Sequence, residues 1–212
     1  MIKANKKMLI ITSVLILLPI VFGIVKWDML PEKMPTHFGV DGTPDGWSSK
    51  GFAVFGLPLV VLALNWFAVL VTEKDNRGKE QNKKVINLVL WICPLISIGL
   101  SAVTYSYALG KEVNVKTVVL LILGVLFTAI GNLLPKCTPN RTIGIRIKST
   151  LSSEENWVAT HRFAGRIWFA GGIVVLISAF LPNTAAAIVA FVALFIMVIV
   201  PLVHSVRYKT KE

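Results

Sequence analysis

Three side chains in one loop have the types and spacing to hold a ligand. Residues 26–51 read KWDMLPEKMPTHFGVDGTPDGWSSKG and carry His37, Asp41 and Asp45 four residues apart. An imidazole and two carboxylates can bind a cation or a polar ligand. A structural zinc site, however, ordinarily takes four protein ligands, mostly Cys and His. The same aspartates, in Asp41-Gly42 and Asp45-Gly46, also suit Asx turns, with His37 solvated. A second set is His161 with Glu154 and Glu155, which could do acid–base work, although hydrogen bonding within the fold explains it as well. The third histidine, His204, reads as an interfacial residue near the end of the chain. The three histidines fall on different segments, with no H-E-x-x-H and no Ser/His/Asp pattern. Cys93 and Cys137 are too few and too scattered for a disulfide framework or a zinc site. The expectation is a protein that is not an enzyme, with no metal and no cofactor.

The elements that must position these residues are apolar blocks. The 212-residue chain is 55% hydrophobic, with a mean hydropathy of +0.71. A bilayer core of about 30 Å needs roughly 20 apolar residues per helical span. Six blocks approach or meet that length: 8–25, 52–72, 87–109, 115–134, 163–181 and 185–203, none containing Asp or Glu. They predict an all-α polytopic membrane protein with six transmembrane helices. The first block has a basic start but is long for a signal peptide, and no A-x-A-like site follows it, so it is expected to be retained. Pro19 within it is tolerable where neighbours satisfy the freed carbonyl.

Charge sets the orientation. With the N-terminus inside, 17 of the 22 Lys/Arg and six of the 11 Asp/Glu fall on inside segments. The net charge of +11 is then wholly inside, and the outside is neutral. The positive-inside rule places both termini in the cytoplasm. The basic excess is accounted for by topology and anionic lipid, so a pI near 9.9 is not read as nucleic-acid binding.

Between the spans, Pro31 and Pro35 block helix in the outer loop, and a D-G turn flanked by residues 34–39 and Trp47 suits a small surface hairpin. Trp27, Phe38 and Trp47 suit an interfacial belt. The inside loop TEKDNRGKEQNKK reads as a solvated turn near headgroups. In the third span, Ser97-x-x-x-Ser101 and Ala102-x-x-x-Ser106 predict close helix packing.

The densest stretch is 131–165, GNLLPKCTPNRTIGIRIKSTLSSEENWVATHRFAG. Ile143, Ile145 and Ile147 alternate with polar residues in an extended pattern. Ser152-x-x-Glu155 is a capping box, predicting a helix from Ser152 into the fifth span. On that helix Trp157, His161, Gly165, Trp168 and Gly172 share one face, suited to packing against Asn132, while Arg162 and Arg166 point elsewhere.

Two segments resemble known families. The outer run resembles a domain of unknown function of Gram-positive membrane proteins, with P-x-x-x-P-x-H-F/W followed by P-D-x-W/Y-x-S-K. The inner run resembles the SdpI/YfhL family, with G-N-x-x-P-K, P-N, G-I-R, T-L and then W-x-x-T-H-R-x-A-G. The family's motif falls on Gly131, Asn132, Pro135, Lys136, Asn140, Gly144, Arg146, Thr150, Leu151, Trp157, Thr160, His161, Arg162 and Gly165. Ile147 departs from it, standing where Thr is expected.

The resemblance implies a two-span unit at 1–84 with the patterned loop, and a four-span unit at 85–212 with the motif loop. It also implies an immunity protein of a bacterial cell membrane. Such a protein shields a cell from a secreted SdpC-like membrane-active peptide toxin. It can also capture a cytoplasmic autorepressor, a transcriptional repressor, at the membrane. Toxin-facing candidates are then Pro35, His37, Phe38, Asp41, Asp45 and Trp47. The cytoplasmic candidates are Asn132, Pro135, Lys136, Asn140, Gly144, Arg146, Thr150, Trp157, His161 and Arg162. The bilayer, the toxin and a repressor are the implied partners, and small-residue faces permit a homodimer. A small transporter or channel is the alternative, permitted by prolines within the spans and polar residues in the third. It is disfavoured by the lack of Asp or Glu inside any span.

Overall fold

The computed structural model describes residues 2, 5–39, 41–78 and 81–208. Lys3 of the basic start, Lys79 and Glu80 of the first inside loop, and Lys209 and Lys211 of the tail lie outside the described residues.

Among the described residues, seven α-helices and one hairpin form in chain order. They are α1 (Lys6–Val25), strands β1 (Lys33–Phe38) and β2 (Pro44–Ser49), α2 (Leu57–Lys74), α3 (Lys83–Ala108), α4 (Val115–Leu133), α5 (Lys148–Ser152), α6 (Glu154–Ser178) and α7 (Asn183–Arg207). A π-helical turn at Phe52–Gly56 leads into α2. Asparagine and serine start three of the helices. Asn82, Asn114 and Ser153 accept the backbone N–H groups of Lys84, Thr117 and Asn156, filling donors that a helix start leaves open.

Among the described residues, five helical stretches are long and apolar enough to cross a membrane: Lys6–Val25, Phe52–Lys74, Lys83–Ala108, Val115–Lys136 and Asn183–Arg207. The sixth expected span, 163–181, lies within α6. That helix begins at Glu154 and carries Glu155, His161, Arg162 and Arg166 in its first half, which lowers its apolarity. Its cap is Ser153, one residue after the predicted Ser152, because either serine can present its hydroxyl to the first turn. The predicted extended run at 143–148 is irregular and passes into the short helix α5.

The helices run back and forth between two ends. At one end, the Ile2 N–H donates to Glu73, Gln81 meets Thr138 and Asn156 meets Ser205. At the other, Phe38 lies edge-on to Tyr107 and Lys116 donates to the Leu181 carbonyl.

Packing in the lipid-spanning part rests on close contact rather than on expulsion of water. The tightest seam joins α4 to α6. A Cβ on Gly131 would lie 2.2 Å from the Phe169 nitrogen, and one on Gly172 would lie 2.4 Å from the Thr128 nitrogen. The glycine-bearing face of α6 thus packs on Gly131, Thr128 and Pro135. It does not pack on Asn132, which is exposed.

Between α1 and α3, Ser97 donates to the Ile16 carbonyl at 2.8 Å and Tyr105 to the Pro19 carbonyl at 3.0 Å. These bonds tie α3 to the backbone of α1 on either side of the Pro19 turn, and neither falls on the Leu15 carbonyl that the proline leaves without an N–H. The second small-residue row behaves differently: Ala102 is exposed and lines an open groove with Phe22 and Leu109.

Candidate functional site

The hairpin presents the outer candidates. β1 and β2 pair antiparallel, with Pro35 opposite Trp47, His37 opposite Gly46, and bulges on either side of His37. The Asp41 carboxylate accepts the Thr43 N–H at 3.0 Å and its hydroxyl at 2.8 Å. This Asx arrangement holds its carboxyl below the usual carboxylate range. Asp45 pairs instead with the His37 Nδ1 at 2.5 Å, with both side chains well exposed. The three residues therefore do not converge. Among the described residues no three or more His, Cys, Asp or Glu side chains gather as a metal would require.

Pro35 is buried and Trp47 is exposed. Phe38 and Trp47 both lie edge-on to Tyr107. Beneath Thr36, His37 and Phe38 is a mostly apolar cavity of about 280 Å³, walled by Pro58, Ser101 and Val119 among others.

Lys50 escaped the sequence reading, where a single cation before an apolar block carries little signal. It is 7% exposed. Its Nζ lies 2.9 Å from Glu32, donates to the Trp27 carbonyl and sits 4.9 Å from the Trp27 ring centroid. Together with Met34, fully buried against Leu30, Ala53, Val54 and Tyr105, it pins the hairpin to the helices.

The inner motif folds around Asn140. Its Oδ1 accepts the N–H groups of Thr142 and Ile143 at 2.7 and 2.6 Å. Its Nδ2 donates to the carbonyls of Thr138 and Ile143, each at 2.8 Å. Gly144 follows with φ +107°, a conformation costly for any other residue. That turn lays the Ile145 N–H on the His161 Nε2 at 3.0 Å. Thr150 donates to the Ile145 carbonyl and accepts the Ile147 N–H, while Arg146 reaches the Arg141 carbonyl. Lys136 and Arg162 are exposed. The Glu155 carboxylate accepts from the Tyr208 hydroxyl.

His161 is 1% exposed and stacks on Trp157 at 4.1 Å. Its Nδ1 lies 2.8 Å from the Trp157 carbonyl, and a carbonyl can only accept. Nδ1 therefore carries the proton and Nε2 is the acceptor for Ile145, which defines a neutral imidazole. Both nitrogens are engaged in hydrogen bonds within the fold, so the pairing with Glu154 or Glu155 that acid–base work would need does not form. Burial pushes its pKa below 6.5, outweighing the Trp157 carbonyl, which acts the other way. Trp157 in turn donates its indole N–H to the Cys137 carbonyl. Burial raises the Cys137 thiol to about 11, so it stays protonated near neutrality.

A pH dependence follows. The unfolded chain binds a proton at His161 near pH 6.5, whereas the folded chain does so only at lower pH. The stabilising contribution is complete above 6.5 and is lost as pH falls from there through the folded pKa. The protection factor of the Ile145 amide, which removes the intrinsic slowing of exchange at lower pH, should fall on acidification through this window in the parent, and a His161→Gln variant should show a flat profile.

The loop after α2, read as a solvated turn, is docked on the motif. Gln81 donates to the Thr138 carbonyl at 2.9 Å and accepts the Thr138 N–H at 3.0 Å. Asp75 accepts the Arg141 N–H at 2.7 Å. Burial works to raise the Asp75 pKa, but hydrogen bonds from Arg141, Gly78, Arg77 and Thr142 outweigh it and hold the carboxyl low. From α6, Asn156 ties the motif to the end of α7. It donates to the Ser205 carbonyl and accepts from the Ser205 and Thr160 hydroxyls.

Residues 136–205 match the SdpI/YfhL protein family, and residues 14–62 match a domain of unknown function, DUF1648. The immunity protein SdpI of Bacillus subtilis (strain 168) is 24% identical over 202 residues, 95% of this chain and 96% of its own length. No solved structure matches the chain.

Proposed function

We propose that this chain, whose residues 136–205 match the SdpI/YfhL protein family, is a multi-pass immunity protein of a bacterial cell membrane, protecting against a secreted SdpC-like peptide toxin. The observation that carries this reading is similarity along almost the whole chain, 95% of it, to an immunity protein. Six spans cross the bilayer, with α6 as the fifth and both termini cytoplasmic. A two-span unit at 1–84 supplies the hairpin and a four-span unit at 85–212 supplies the motif loop. The hairpin faces outward and meets the toxin through Phe38, Trp47 and the exposed His37–Asp45 pair. The motif loop faces the cytoplasm, where the exposed Arg146, Lys136 and Arg162 meet a transcriptional repressor. Asn140, Gly144, Thr150, Trp157 and His161 hold the loop in shape. Pairing of two copies through small-residue faces is compatible with this layout.

The test is survival of toxin-sensitive cells expressing the protein. The parent should protect. Trp47→Ala removes an exposed aromatic of the type that dominates interfaces, at a cost of about 2 kcal/mol or more, so protection should need roughly thirty-fold less toxin to fail. Arg146→Ala should leave survival intact and abolish membrane capture of the repressor. A well-expressed parent that gives no protection against any peptide tested would sink the immunity reading.

A further inference from the structure

A large polar cavity lies at the inner end of the helices. It measures about 980 Å³ and is bounded by Val71, Lys74, Asp75 and Arg77 on one side, and by Arg141 and Leu151 to Glu154 on the other. Three cations line it: Lys74, Arg77 and Arg141. Among the described residues, none of the three has an ion-pair partner. The Asp75 carboxylate beside them is occupied, because Oδ1 accepts the Arg77 N–H and Oδ2 accepts the Arg141 N–H. Glu154 is the one other acid in the lining, so an unneutralised positive charge faces the cavity.

Its position adds a second observation. Lys74 ends a membrane-spanning stretch, and the outward-facing Val71 and the half-exposed Leu151 give the cavity an apolar margin.

We infer that this cavity is a binding site for the phosphate headgroup of an anionic phospholipid, with Arg77, Arg141 and Lys74 on the phosphate and Val71 and Leu151 along the glycerol and upper acyl chain. The inference rests on the inside orientation proposed above. Guanidinium groups suit a phosphodiester because they offer paired donors to two oxygens, and inner-leaflet headgroups bring negative charge to this depth. The floor of the site is Asn140 and Trp157, so an occupied site braces the motif loop from beneath.

The experiment is thermal unfolding of the full chain in neutral detergent with added phosphatidylglycerol, phosphatidylcholine or glycerol phosphate. The ligand that binds the folded chain raises its melting temperature. Phosphatidylglycerol should raise it by about 3 °C or more, with no rise from phosphatidylcholine or glycerol phosphate. The paired Arg77→Gln and Arg141→Gln variant should lose the rise. Both side chains are exposed and only their backbone N–H and carbonyl groups serve the fold, so the variant should melt like the parent without lipid. Arg166→Gln, on α6 away from the cavity, should keep the full rise. An equal rise in the cavity variant and the parent would reduce the effect to diffuse surface charge and overturn the site. A rise with glycerol phosphate matching that with lipid would overturn the membrane source in favour of a soluble phosphate compound. Toxin protection in cells is read separately, and its loss or retention leaves these melting shifts interpretable.

Discussion

Substituting Gly131 with valine leaves little folded protein. The glycine sits where α4 crosses α6, and its added Cβ would fall 2.2 Å from the Phe169 nitrogen, 2.7 Å from the Phe169 Cα and 2.7 Å from the Trp168 carbonyl carbon. All three are backbone atoms of a packed helix, so no rotamer change relieves the overlap. The helices must part, and Gly165 against Pro135 and Gly172 against Thr128 lose contact with them. Inserting even one methyl group into a packed core costs about 1–3 kcal/mol. Valine adds three carbons against backbone, so roughly 4 kcal/mol or more is expected, close to the whole stability of many domains. Monodisperse yield on size exclusion after mild detergent extraction measures this. Gly51→Ala is the control. Gly51 is helical, with φ −58°, and has nothing within 4 Å of an added Cβ. Alanine there should be neutral or slightly stabilising, because it restricts the unfolded chain. A Gly131→Val protein that extracts and melts like the parent would show that the α4–α6 seam is looser than described.

The second large effect falls on Asn140, which is 3% exposed. Alanine at this position orphans the Thr142 and Ile143 N–H groups and the carbonyls facing the amide. Each buried unpaired group costs about 1–3 kcal/mol, and water entering from the neighbouring cavity offsets part of that. A loss of roughly 3 kcal/mol is expected, confined to the motif loop. Exchange at the Thr142 and Ile143 amides should accelerate by about two orders of magnitude, while amides of α3 and α7 stay protected. Asn140→Asp separates the two halves of the amide's role. It keeps an acceptor for both N–H groups, but turns a carboxylate toward the Thr138 and Ile143 carbonyls, so it should fall between parent and alanine. Equal exchange in all three proteins would remove Asn140 as the organiser of the loop.

Much of the helical architecture was legible because apolar blocks without Asp or Glu have few other places to go. The six blocks lie in α1, α2, α3, α4, α6 and α7, with edges displaced by a few residues where a cap such as Ser153 or Asn82 decides the start. The hairpin was legible through Asp41-Gly42. The contacts that shape the motif were less so. Trp157, His161 and Gly165 were correctly placed on one buried face by their spacing, but periodicity does not say what covers a face. Gly131 and the Gly144 turn cover this one, rather than Asn132 or a glutamate. The docking of Asp75 and Gln81 was invisible for a related reason. Short polar side chains in a mixed-charge turn look alike whether they meet water or another loop. Lys50 shows the same limit, since its burial depends on Trp27 and Glu32 folding back over it.

One contact also bears on how the chain is made. Pro201 stands inside α7 and offers no N–H to Met197 four residues earlier. The Met197 carbonyl is met instead by the indole of Trp168, at 2.7 Å, from α6. A helix released alone into hydrocarbon must satisfy its own backbone, and α7 falls one bond short of that. Helix α6, for its part, brings two arginines and a histidine and is the least apolar of the long helices. Each therefore completes the other, and the natural unit of biogenesis at this end of the chain is the helical hairpin rather than the single helix. On the six-span reading proposed above, the pair leaves the insertion machinery only after the second helix has been synthesised.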